Sequence, residues 1–152
     1  MKLAEKLGLK DYPNPSGGCL LTDPRFAERV RDHLKHERKL TLEDILLLRI
    51  GRHFRIGRGK VIVGRNAEEN KKLLIISKRR NIPHLEVIEY KGPITLLMGE
   101  ENPELLEKAA SITVRYSDSP KSAPIKVRYK GTKERILKVR AISDEELEAL
   151  RI

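Results

Sequence analysis

The chain has 152 residues, 39% of them hydrophobic and 36% charged, and a formal net charge of +10. That is the size of one domain with an appendage, and the basic balance makes nucleic acid the first partner to consider. A single cysteine, Cys19, excludes an internal disulfide framework and a multi-cysteine zinc site, and no apolar run approaches the roughly 20 residues that span a bilayer. The bland alternative is a thermophile's charge-rich surface, since Lys, Arg and Glu are abundant and Trp is absent. The residues after Met1 alternate charge and apolar character, unlike a signal peptide, so a reducing, cytoplasmic setting is expected.

Residues 1–22 read as a joint. Lys2 to Lys10 spells one or two helical turns, and Tyr-Pro-Asn-Pro-Ser-Gly-Gly at 12–18 forbids regular structure. Such an opening suits the tail end of something larger. Asp23-Pro24 starts a helix, with Phe26, Val30 and Leu34 on one stripe. Thr41-x-x-Asp44 is a capping pair before Ile45, Leu46 and Leu48. These two helices form a lead-in that ends near Arg49.

From Gly51 the period changes. His53 to Ile56, Lys60 to Arg65, Lys72 to Ser77, Leu85 to Glu89 and Ile94 to Met98 read as short β runs. Asn102-Pro103 caps a helix to about Arg115, with Leu105, Leu106, Ala109, Ala110 and Ile112 inward. Ile125, Val127 and Tyr129 alternate with Lys126, Arg128 and Lys130, a half-buried strand with one basic face. Leu137 and Val139 against Lys138 and Arg140 repeat the pattern, and Ser143-x-x-Glu146 opens a final short helix. The expected fold class is α+β: a short helical lead-in, then a mixed, mostly antiparallel sheet packed on one long helix. The expected domains are 1–50, hinge and lead-in, and 51–152, a nucleic-acid-binding domain.

The charge is segregated along the chain. Arg49 to Arg65 holds six basic residues and no acid, and Lys121 to Arg140 holds eight with a single acid, Glu134. Lys78-Arg79-Arg80 is a third cluster, while acids gather at 100–107 and 144–148. Two β-ribbons with basic outer faces would make one phosphate-contacting sheet. RNA is favoured over DNA because no recognition helix is evident. The stacking candidates Phe54, Tyr116 and Tyr129 read first as core. Ser16-Gly17-Gly18-Cys19 departs from an ATP-pyrophosphatase loop, which continues Asp-Ser, so no ATP binding and no cofactor is expected in this chain. Cys19 reads as a small buried hydrophobe or as a thiolate that carries sulfur. His33, His36, His53 and His84 make no metal-ligand spacing.

Val-Gly-Arg-Asn-x-x-x-Asn-x-x-Leu at 63–73 resembles the start of the RNA-binding domain of the NFACT proteins, found in ribosome quality-control factors. Gly92-Pro93-Ile94 to Met98, Leu106-x-x-Ala109-Ala110 with Tyr116-Ser117, and Ile125 to Tyr129 are similar to its later strand, helix and basic strand. The resemblance covers about residues 52–140. The family's Asp-x-Trp-x-His segment is missing, with Pro83-His84-Leu85-Glu86 in its place. Pro15 to Pro24 and Ile50-Gly51-Arg52-His53-Phe54-Arg55 resemble the region after the catalytic domain in thiouridylase-like PP-loop proteins, some of which carry an NFACT-type domain at the C-terminus. These resemblances imply an RNA-binding domain that holds tRNA for an ATP-dependent PP-loop partner absent from this chain, with no membrane. Arg52, Arg55, Arg58, Arg65, Asn66, Asn70, Lys126, Arg128 and Lys130 are the candidate RNA contacts. Asn66 and Asn70 equally suit a cap on the turn after the strand. Two alternatives stand beside this reading: a sulfur-relay domain with Cys19 as persulfide carrier, and a basic protein-interaction module of ribosome quality control.

Overall fold

A computed structural model describes residues 23–152. The Lys2–Lys10 turns, the Pro/Gly hinge and Cys19 lie outside the described residues. The chain forms two compact units, one ending at Arg49, to which Ile152 also belongs, and one of residues 50–151.

The first unit contains α1 (Pro24–His36) and α2 (Leu42–Arg49). The Asp23 carboxylate accepts from the Arg25 N–H at 3.0 Å, with proline in the first turn. At α2 the Thr41 N–H donates to Asp44 Oδ2 and the Asp44 N–H donates to Thr41 Oγ1, both at 3.0 Å, a reciprocal capping box. Phe26, Val30, Ile45 and Leu48 form a small core, with Leu40 against it. Leu34, expected on the same stripe, is 49% exposed. Each four-residue step overshoots a helical turn by about 40°, so Leu34 sits about 80° round from Phe26.

The second unit is a single six-stranded sheet. Its strands are β1 (Arg52–Ile56), β2 (Gly59–Val63), β3 (His84–Val87), β4 (Thr95–Met98), β5 (Ile125–Lys130) and β6 (Glu134–Val139). They lie in the order β1-β2-β4-β3-β5-β6, and every pairing is antiparallel rather than mixed. The two basic hairpins thus occupy opposite ends of one sheet, separated by β4 and β3.

Residues 72–77 form no strand. They belong to α3 (Ala67–Arg80), capped by Asn66, whose side chain accepts from the Glu69 N–H, and ended by Asn81 in the left-handed region at φ 55°. The apolar Leu-Leu-Ile-Ile run imitates a strand, but Glu69, Leu73 and Ser77 are the buried residues, spaced four apart. That spacing puts one helical face on the sheet.

Alternation assigns the two faces of the sheet. Phe54, Ile56, Val61, Val63, Leu85, Val87, Leu97, Ile125, Val127 and Tyr129 point to the main core. There α4 (Pro103–Arg115) packs, with Leu105, Leu106, Ala109, Ala110 and Ile112 buried, and Thr113 Oγ1 donates to Thr95 Oγ1 at 2.8 Å. α5 (Asp144–Leu150), capped by Ser143, adds Leu147 to this core. The opposite face carries His53, Ile62, Leu96 and His84, and α3 lies over it, packed on β4 and joined by Ser77 Oγ to His84 Nδ1 at 3.0 Å. The outer face of β5 and β6 is largely open to solvent, with Lys126, Lys130, Glu134, Ile136 and Lys138 exposed.

The start of α4 rests on Asn102, whose Oδ1 accepts from the Leu105 N–H at 2.9 Å. Asn102→Ala should lower stability by about 1 kcal/mol, read as a lower urea midpoint at unchanged slope.

Candidate nucleic-acid interface

The turn between β2 and α3 holds the most distinctive sequence in the chain, and its residues hold the fold. A Cβ on Gly64 would lie 2.0 Å from Asn70 Oδ1. That oxygen is not free to move, because it accepts from the Ile94 N–H at 3.0 Å, while the Gly64 N–H donates to the Ile94 carbonyl at 3.0 Å. Asn66 caps α3 through the Glu69 N–H at 2.9 Å. Glu69 reaches back to accept from the Arg65 N–H at 2.9 Å and from the Arg65 guanidinium at 2.6 and 3.0 Å. The Arg65 hydrogen bonds hold the Glu69 carboxyl down at about 2, against an opposing push from burial, and a backbone bond from Gly51 adds to the effect. Gly64, Arg65, Asn66, Glu69 and Asn70 therefore clamp strand, helix and the entry to β4 together.

The other candidates divide by face. Arg52 lies on the α4 side, its guanidinium 4.4 Å above the Tyr116 ring. Arg55 lies on the α3 side and is engaged within its own hairpin, with Nη1 donating to the Arg58 and Gly59 carbonyls at 3.1 and 3.3 Å. Arg58 is exposed at the tip of that hairpin. Lys126, Arg128 and Lys130 come together on the open face as the alternation predicts, with both lysines exposed.

Register adds residues beyond the candidate RNA contacts. Lys138 stands directly opposite Lys126, Ile136 opposite Arg128, and Glu134 opposite Lys130. On the other side His84 opposes Lys130 and Glu86 opposes Arg128. Arg128 is shared between two acids, Glu134 at 3.2 Å and Glu86 at 3.8 Å. Lys126 and Lys138 are like charges set directly across a ladder, an arrangement that destabilises a bare sheet. The open face also carries Ile136, 61% exposed. Phe54 and Tyr129 are core, as their pattern implied, and Tyr90 is the exposed aromatic ring among the described residues at 41%. It lies in the loop after β3, two residues past Ile88, whose N–H donates to the Lys126 carbonyl. Its signal in the sequence was weak, a lone tyrosine between Glu89 and Lys91.

Among the described residues, no three or more His, Cys, Asp or Glu gather as a metal site, and no helix is long and apolar enough to cross a membrane. An antiparallel sheet with helices on both faces and one uncovered lysine-rich end defines a basic-faced α+β domain of the nucleic-acid-binding kind. The comparison with protein families makes this specific. The family described as "NFACT protein RNA binding domain" matches residues 51–151, and the chain belongs to that family. Among solved structures, the chain is similar to the C-terminal part of the fibronectin/fibrinogen-binding protein of Streptococcus suis, with a TM-score of 0.58 and 14% identity. That match covers 68% of this chain and 50% of the other, so the chain spans about half the length of that structure, and the likeness is one of fold. No curated protein matches the chain significantly.

Two outcomes test the clamp. Gly64→Ala should destabilise the domain by about 1–3 kcal/mol, because the new Cβ must expel the Asn70 amide from Ile94. Glu69→Gln should cost on the order of 1 kcal/mol at neutral pH, since the Arg65 end of the pair faces water. A carboxyl held below its unfolded value stabilises above that unfolded value and stops doing so as pH falls toward the folded one. The gap between wild type and Glu69→Gln should thus be full at pH 6–7 and shrink steadily between about pH 5 and 2, followed by urea unfolding across that range.

Proposed function

We propose that the domain binds RNA backbone across the open faces of β5 and β6, with Lys126, Arg128, Lys130 and Lys138 as the phosphate contacts. The Lys126–Lys138 opposition carries this reading. A bare sheet is weakened by two like charges directly opposed, and a polyanion lying over them turns that repulsion into attraction. The family's description as an RNA-binding domain supports the same partner.

The finer reading is tRNA, held in the cytoplasm for a PP-loop thiouridylase-like catalytic domain that this chain lacks. The likeness of residues 15–24 and 50–55 to the region following such catalytic domains supports it. A second reading, docking on ribosomal RNA or protein in ribosome quality control, suits the NFACT family equally well. Sulfur relay through Cys19 rests on the sequence resemblance alone, because Cys19 lies outside the described residues.

Binding to an unmodified tRNA, titrated by fluorescence anisotropy at several salt concentrations, tests the interface. The double variant Lys126→Ala, Lys130→Ala should reduce the slope of log affinity against log salt by about 1.4–1.8, at about 0.7–0.9 per lost phosphate contact. Its urea midpoint should stay close to the wild-type value, because Lys126→Ala relieves the repulsion from Lys138 while Lys130→Ala removes the attraction to Glu134. An unchanged slope sinks the assignment of this face. Ribosomal subunits binding far more tightly than free tRNA at matched salt would replace the tRNA reading with the ribosomal one.

A further inference from the structure

We propose that Lys78, His84 and Lys130 form a discrete phosphate-binding subsite where the last turn of α3 meets the open face of the sheet. The proposal rests on the RNA-binding reading for its biological ligand, but its geometry stands by itself. The three residues come from three elements, Lys78 and His84 lying close in sequence and Lys130 far along the chain. Lys130 is directly opposite His84 in the β3–β5 ladder, on the same face. Lys78 follows Ser77, and Ser77 Oγ meets His84 Nδ1 at 3.0 Å. Both lysines are exposed, while the imidazole is largely covered.

The hydrogen bonds orient the ring. Ser77 Oγ donates to the Ile82 carbonyl at 2.5 Å, which uses its only proton. Nδ1 must then carry the proton that Ser77 accepts, leaving Nε2 as the ring atom that takes up a proton and meets a ligand. The surroundings of the ring are mixed. Burial pushes His84 below the usual imidazole value, Glu86 opposes this, and Lys130 and Lys78 add to it. Glu86 is itself within 3.8 Å of Arg128, and the residue opposite His84 on β4 is the apolar Leu96. Ser77 contributes no charge. In the free protein the ring is therefore neutral near pH 7, held so first by burial, with Lys130 and Lys78 acting in the same direction against Glu86.

A phosphate between Lys78 and Lys130 removes that repulsion and supplies an acceptor for a protonated Nε2. Binding then raises the affinity of the ring for a proton. By linkage, phosphate affinity rises as pH falls through the bound-state value and levels off below the free-state value. The gain is up to about tenfold for each unit by which the two values differ. The domain would grip an RNA backbone more tightly in mildly acidic conditions through a single imidazole.

The His84 ring resonances, followed by NMR against pH with and without tripolyphosphate, test the subsite without any RNA. The expected result is an upward move of at least half a unit in the His84 titration. In parallel, oligonucleotide affinity should tighten several-fold from pH 7.5 to 5.5. His84→Gln should abolish that dependence. A His84 titration that ignores tripolyphosphate overturns the subsite even where RNA still binds. A responsive His84 in a protein that binds no RNA keeps the subsite and removes the RNA-binding reading. Should His84→Gln fail to fold, Lys78→Ala in the NMR experiment decides: the response to tripolyphosphate should fall, and a full response overturns the proposal.

Discussion

The contact on which this domain depends is the one between Gly64 and the Asn70 side chain. The amide oxygen sits where a Cβ would be, and from there it holds the Ile94 N–H at the entry to β4. One carboxamide thus ties together the end of β2, the first turn of α3 and the start of a strand 24 residues further on. Glu69 and Arg65 close the same turn from the other side. With α3 seated in this way, its buried face covers β4 and its last turn stops beside His84. The exposed face of β5 and β6 carries Lys126, Lys130 and Lys138.

Charge follows from that seating. Six antiparallel strands have two faces, and α4 and α5 serve the apolar one. On the other face α3 packs on β4, and Arg55 of β1 is engaged by the carbonyls of its own hairpin. Over β5 and β6 no helix intervenes, and the lysines of Lys126, Lys130 and Lys138 meet solvent. The one arginine among them is restrained by Glu86 and Glu134. The surface therefore offers several exposed ammonium groups around one positioned guanidinium, which suits backbone contact more than base reading.

Much of this was legible in the linear chain. Asp23-Pro24, Thr41-x-x-Asp44, Asn102-Pro103 and Ser143-x-x-Glu146 each mark a helix start that forms, because capping is a local bond between residues two or three apart. The Ile125–Lys130 alternation gave both the strand and its basic face. Misreading 72–77 as a strand came from a continuous apolar run, which does not by itself distinguish the two periods. The asparagines at 66 and 70 were open between capping and RNA contact, and their side chains are committed to Glu69 and Ile94 within the protein.

The sequence by itself determined the element order after residue 81, the caps, and the family through its Gly-Arg-Asn-x-x-x-Asn turn, since all of these are written in short-range spacing. The tertiary structure alone decided which basic residues share a surface. Arg52 and Lys126 look alike in sequence, yet one stacks on Tyr116 beneath the sheet and the other opposes Lys138 above it. Strand order and register separate them, and these are set by which nonlocal apolar faces bury together. The pairing of His84 with Lys130 across the β3–β5 ladder has the same origin, and no spacing in the chain encodes it.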